Sequence, residues 1–209
     1  MKIVDFSLSI GNKQLLENVT VEFINGTVNH VLGRNGVGKS CLARALIGAL
    51  SYKGVIEDNR EEKCVIGTYS NLPSDLKVKD LITIIQRHTD SLVLKKLMDR
   101  LQIRDIPMNS FMKSVSDGQR QKIKLLFFLS LQPKIIVLDE MTNALDKASC
   151  LEIYKFLKDY IKIESVTVIN ITHNLMDLEY LDGNYYLFDK KTIITGMTQK
   201  QAIDYYIKG

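Results

Sequence analysis

Eight residues, Gly33 to Ser40, read GRNGVGKS and satisfy the spacing G-x-x-x-x-G-K-[ST] between an apolar strand pattern and a helical one. This spacing suits a chain of phosphates. Gly33, Gly36 and Gly38 let the backbone curl around Asn35 until consecutive N–H groups point inward at phosphate oxygens. Lys39 adds a point charge for the β- and γ-phosphates, and Ser40 offers a hydroxyl to Mg²⁺. Cys41 follows in the first helical turn, either as a thiol that the helix dipole activates and bound nucleotide shields, or as a small packed residue.

Two further apolar runs end in reactive side chains. IIVLDE is of buried-strand type and closes on Asp139 and Glu140, which sets them at the crevice where open α/β sheets bind ligands. Asp139 suits an indirect or water-mediated ligand for the Mg²⁺ held by Ser40. Glu140 points to the opposite side and can polarise an attacking water. INITH ends on His173 in the same crevice geometry, where it can hydrogen-bond the terminal phosphate or that water. His30, inside a strand, and His88, in a helical stretch, are read as structural.

A third feature is SVSDGQRQKIKLL, Ser114 to Leu126. Ser116 and Gln119 stand at capping-box spacing, so a helix starts here and offers free N–H groups to an anion. Asp117 puts a carboxylate beside that anion site. Two like charges about 4 Å apart repel by roughly 1 kcal/mol even in water. Asp117 therefore turns away from the anion and stabilises the helix N-terminus from the solvent side.

The elements that position these residues follow from periodicity. KIVDFSLSI is a strand followed by a turn at Gly11-Asn12; VTVEFING ends in the hairpin signal Asn25-Gly26, and TVNHVL runs into the glycine loop. Cys41 to Leu50 is predicted helical from Leu42, Leu46 and Leu50, with short strands at Tyr52–Ile56 and in KCVIGTYS. From Val78 to Ser110 two helices, VKDLITIIQRH and SLVLKKLMDRLQI, follow without a strand between them, and Ser91 is the predicted cap of the second. They form a helical lobe inserted into an α/β core. Then come a helix over Gln119–Leu131, strand KIIVLDE, a helix from about Lys147 to Ile161, strand SVTVINITH, a hairpin in NYYLFDKKTIITG and a helix over Gln199–Ile207. Strands alternating with helices predict a mostly parallel sheet covered on both faces.

The bulk numbers exclude some classes. With 209 residues, 45% apolar and 25% charged, the chain fits one globular domain or one domain with a lobe. No run of eighteen apolar residues occurs to cross a bilayer, and MKIVDFSLSI is a strand rather than a signal peptide. Cys41, Cys64 and Cys150 are scattered without a CxxC, which points to a reducing compartment and away from zinc. A net charge of +4 without a polybasic run gives no reason to expect nucleic acid.

Phosphate loop, helical lobe, VSDGQ, IIVLDE, NALD and TH together resemble the ATP-binding cassette (ABC) ATPases, from Lys2 to about Ile207. The resemblance implies an α/β P-loop NTPase with a mostly parallel core, an N-terminal antiparallel β subdomain and an inserted helical subdomain. It implies one domain over 1–209, with 1–70 and 132–209 as core and 71–131 as the connecting loop, lobe and signature helix. ATP and Mg²⁺ are the implied cofactors. Family members pair head to tail around two ATPs, so Ser116 and the Gly118 and Gln119 amides would grip the γ-phosphate of ATP held by a second subunit, and Asp146 in NALD would cross the seam. Asp117 stands where the family usually has glycine. Ile10 stands where an aromatic residue usually stacks on adenine, so apolar contact survives without π-stacking and weaker nucleotide binding is implied. Asn71 stands where a glutamine usually links Mg²⁺ and the attacking water to a transmembrane partner; it carries the same amide on a shorter arm.

The implied function is an ATP-hydrolysing subunit that powers a separate membrane permease, similar to small bacterial exporters of peptides, lantibiotics or self-immunity, and that sits on the cytoplasmic face of the membrane. One alternative is a soluble stand-alone cassette acting in assembly or regulation. Another is a small-molecule phosphotransferase, which would have no use for VSDGQ or NALD.

Overall fold

The computed structural model describes residues 1–58, 62–67 and 70–208. Two sheets form the frame. The smaller is antiparallel, in the order β2-β1-β4, from β1 (Lys2–Ile10), β2 (Lys13–Glu22) and β4 (Lys53–Glu57). The larger contains β3 (Val28–Leu32), β5 (Lys63–Gly67), β6 (Ile135–Asp139), β7 (Thr167–Ile171), β8 (Gly183–Asp189) and β9 (Thr192–Met197). Its order is β5-β6-β7-β3-β8-β9, parallel throughout except for β9, which returns antiparallel on β8. This is the α/β arrangement expected, with an antiparallel sheet beside a parallel core.

Period-two geometry divides the central strands between two layers. Ile135 and Val137 of β6 face the side covered by the small sheet and α1 (Lys39–Leu46), with Phe6, Leu8, Leu42 and Leu46. Ile136 and Leu138 face α4 (Asp117–Leu129), α5 (Lys147–Glu164) and the lobe, with Ile123, Leu126 and Leu157. Burial on both faces explains why β3, β6 and β7 are inaccessible along their whole length. The lobe holds α2 (Val78–Gln86) and α3 (Ser91–Arg100), and the chain ends in α7 (Gln199–Lys208). No helix among the described residues is long and apolar enough to cross a membrane.

Several expectations are corrected. Asn25-Gly26 does make a turn, with Gly26 at φ 69°, but no hairpin, because β3 leaves for the other sheet. Asn29 holds that corner: its side chain accepts from Ile24 N and donates to Ile24 O and Val168 O. The cap of α3 is Asp90, whose Oδ1 accepts from Leu92 N and Val93 N, and Ser91 is the first helical residue. Helix α1 stops at Leu46, two residues before Gly48 at φ 77°, although Leu50 still packs on the same cluster. Strand β5 ends at Gly67, and Thr68 and Tyr69 lie outside the described residues. A short helix, α6 (Leu175–Tyr180), follows His173 where sequence periodicity gave no helix.

Candidate functional site

The glycine loop joins the carboxyl end of β3 to α1. Gly38, at φ 118°, caps the helix, and a Cβ there would lie 3.0 Å from Leu15 Cδ1, so both backbone sign and space demand glycine. Lys39 is 4% exposed, and its ammonium donates to Gly33 O at 2.7 Å and Arg34 O at 3.0 Å. Burial lowers its pKa, opposed by the charges of Glu140 and Asp139.

A cavity of ≈ 490 Å³ opens over this loop. One side is Asn35, Gly36, Gly38, Lys39, Ser40, Cys41 and Glu140; the other is Ile10, Lys13 and Leu15 from the β1–β2 hairpin. The structure therefore brings Ile10 to the phosphate loop, together with two residues that sequence reasoning missed. A signal for Leu15 existed: it lies five residues after Ile10 on a tight hairpin, so it comes back to the same end of the sheet.

Asp139 ends β6 and is 1% exposed. Burial raises its pKa, opposed by a hydrogen bond from the Ser40 hydroxyl. Its Oδ1 is buried without a hydrogen-bond partner among the described residues. A buried, unpartnered carboxylate oxygen beside a serine hydroxyl fits a hard divalent cation. Glu140 has φ 54°, which takes it out of strand alternation, and its carboxylate lies on the cavity wall. Its Oε1 meets His173 Nδ1 at 3.1 Å and its Oε2 accepts from Asn143 Nδ2 at 3.0 Å. Because a carboxylate only accepts, the Nδ1 that meets Glu140 carries a proton.

The remaining predicted residues lie elsewhere. Ser116 caps α4 through a complete capping box: its Oγ accepts from Gln119 N, and Gln119 Oε1 accepts from Ser116 N. Within one chain the Gln119 amide is thus already bonded. Asp117 accepts from Arg120 Nη1 at 2.6 Å, and Arg120 also donates to Met112 O and Val115 O. The carboxylate that stands beside the anion site is turned into its own guanidinium. Asp146 caps α5, accepting from Ser149 N and Oγ at 2.9 Å each, and these bonds lower its pKa. The two helix tips touch, since a Cβ on Gly118 would sit 2.4 Å from Ser149 Oγ. None of Ser116, Gly118, Gln119 and Asp146 lines the cavity. Nor does Asn71, which is exposed on the loop after β5.

Comparison with known proteins agrees with this geometry. A family model described as ABC transporter matches residues 16–143. The chain is 38% identical over 208 residues to YydI of Bacillus subtilis (strain 168), named a probable peptide export ATP-binding protein, across 99% of each chain. It is 27% identical over 208 residues to the lantibiotic transport ATP-binding protein SrtF of Streptococcus pyogenes, covering 93% of this chain and 89% of that one. Among solved structures, cbiO1 from Clostridium perfringens, part of the ABC transporter complex cbiONQ, superimposes with a TM-score of 0.82 at 22% identity over 99% of this chain and 91% of that one.

Proposed function

From the premise that the chain belongs to the ABC transporter family, as an ATP-binding and ATP-hydrolysing subunit, we propose that two copies, or this chain and a related one, close head to tail around ATP and drive a separate permease that exports a peptide. One observation carries the site: a single cavity joins the Lys39–Ser40 cradle to Glu140, which His173 meets at 3.1 Å. The triphosphate lies along Gly36–Ser40, and the base reaches Ile10, Lys13 and Leu15. Glu140 accepts a proton from the attacking water, and His173 hydrogen-bonds that water or the γ-phosphate through its other ring nitrogen. Ser40 and Asp139 would hold Mg²⁺, which supplies positive charge to the β- and γ-phosphate oxygens when bound.

The pairing reading rests on the second cluster. Ser116, Gly118 and Asp146 sit at two touching helix tips outside the cavity over the glycine loop of their own chain. The second subunit supplies them, and Gly118 N and the Ser116 hydroxyl meet the γ-phosphate, with Gln119 joining only if its bond to Ser116 opens. Asn71 acts from the loop between core and lobe, as part of a 71–131 unit that moves against residues 1–70 and 132–209. Peptide export is favoured by the likeness to YydI along the whole length of both chains. On this reading the protein works on the cytoplasmic face of the membrane, held there by the permease.

Glu140→Gln tests the reading. It should still bind ATP, lose hydrolysis by at least about a hundredfold, and accumulate with ATP as a species of twice the mass in light scattering. Hydrolysis at the parental rate would remove Glu140 from the role, and a monomer at saturating ATP would remove the pairing of two copies and leave pairing with a related chain.

A further inference from the structure

Behind the Glu140–His173 contact lies a buried polar chain that contains none of the residues assigned above. Its centre is Asp177 in α6, 2% exposed. Asp177 Oδ1 accepts from Thr142 Oγ1 at 2.8 Å and from Tyr154 OH at 2.5 Å. Its Oδ2 accepts from Asn170 Nδ2 at 3.0 Å, and the same amide meets His30 Nδ1 at 3.2 Å. His30 Nε2 donates to Leu181 O at 2.8 Å, so Nδ1 is the acceptor of the neutral ring, and burial lowers the His30 pKa and keeps it so. Three neutral donors, from Thr142, Tyr154 and Asn170, thus converge on one buried carboxyl group.

What these donors share is position. Thr142, 3% exposed, lies two residues after Glu140, in the segment that runs on to Asp146. Its hydroxyl donates to Asp177 and accepts from Asn174 Nδ2 at 3.4 Å, and Asn174 directly follows His173. Its carbonyl takes the Cys150 thiol at 3.7 Å from the first turns of α5. One hydroxyl therefore ties the backbone after Glu140 to the backbone after His173. Glu140 itself sits at φ 54°, a conformation that persists only where neighbours fix it.

We infer that Asp177 and Thr142 are positioning residues for hydrolysis: the Asp177 carboxylate orients the Thr142 hydroxyl, and that hydroxyl sets the register between Glu140 and His173. The inference rests on Glu140 being the group that polarises water. Tyr154 bonds the same carboxylate oxygen from α5 and its hydroxyl also approaches that of Thr142; removing it leaves the Thr142–Asp177 and Thr142–Asn174 bonds in place, so it serves as the internal control.

The experiment compares Thr142→Val, Thr142→Ser, Tyr154→Phe and Glu140→Gln for ATP affinity and for hydrolysis. Thr142→Val should lower kcat by on the order of ten- to a hundredfold, with the affinity for ATP held by the phosphate cradle unchanged. Thr142→Ser should restore the rate. Tyr154→Phe should lower thermal stability at least as much as Thr142→Val while keeping kcat near the parental value. In a Glu140→Gln background, Thr142→Val should cost nothing further. If Thr142→Val and Tyr154→Phe slow hydrolysis equally, or serine fails to rescue, the network is only a packing device and the inference falls. A Glu140→Gln chain that hydrolyses normally overturns the premise instead, and that result is separate from the other three.

Discussion

The phosphate-loop end and the α4–α5 tips both offer backbone N–H groups to an anion, yet they are built in opposite ways. At the loop, Lys39 and Asp139 are buried, one held by backbone carbonyls and the other with an oxygen unpartnered among the described residues. At the tips, Ser116, Asp117 and Asp146 are exposed, and each is satisfied by its own helix or its own neighbour. Buried groups that are not fully paired hold free energy that only a ligand recovers. Self-capped exposed groups hold almost none. On the proposed pairing, the loop binds nucleotide within its own chain, and the tips stay folded until a partner presents one.

The sharpest way to break this contrast is to remove one donor from each side. Lys39→Ala should abolish or severely weaken nucleotide binding by a single chain, measured by calorimetry, because the glycine loop loses the ammonium it holds for the β- and γ-phosphates. Ser116→Ala should leave that binding unchanged, lose about 1 kcal/mol of stability with the cap, and remove ATP-driven pairing. If Ser116→Ala weakened nucleotide binding by isolated subunits as much as Lys39→Ala, the two regions would not be the separate halves described.

Gly118→Ala should have the next largest effect. Its Cβ would fall 2.4 Å from Ser149 Oγ, and Ser149 is bonded to Asp146, so the clash cannot relax without moving the α5 cap. A loss of about 1–3 kcal/mol is expected from overpacking, measured by denaturant unfolding. Ser149→Gly beside it should recover most of that loss, which would show that the glycine serves contact between the tips as well as access to phosphate.

What the sequence made legible follows the same division. Gly33–Ser40 and the Ser116–Gln119 capping box are local chemistry, and both stand where periodicity and motif spacing put them. The missed features are long-range. Asp177 reaches Thr142 and Tyr154 across more than twenty residues, and Lys124, buried in α4, donates to Gly67 O across 57. Lys13 and Leu15 join the cavity only because β1 and β2 fold back on each other. No local pattern marks such pairs, since each side chain alone looks like an ordinary helix or strand residue. The Asn25-Gly26 turn failed for the same reason: its dipeptide was right, and the destination of the next strand was set by β7 and β8 far along the chain.

The smallest effect sharpens the contrast most finely. Asp117 is paired with Arg120 at a surface where both side chains are largely open, 61% and 39% exposed, so the ion pair contributes no more than about 1 kcal/mol. Asp117→Asn keeps the shape and an acceptor oxygen for Arg120 at the first turn of α4 while removing the negative charge. Folding stability should then change by less than about 1 kcal/mol. Pairing of two copies around two ATPs should tighten, by up to about fivefold for each site and about thirtyfold for both, if the full like-charge repulsion of roughly 1 kcal/mol at 4 Å is relieved at each, and the gain should shrink as salt screens it. The measurement is the ATP-dependent dimer dissociation constant at low and high salt in the Glu140→Gln background, where the closed form accumulates. Weaker pairing in Asp117→Asn would mean that the carboxylate aids closure through Arg120, and that the tip is a charged lock rather than a neutral cap.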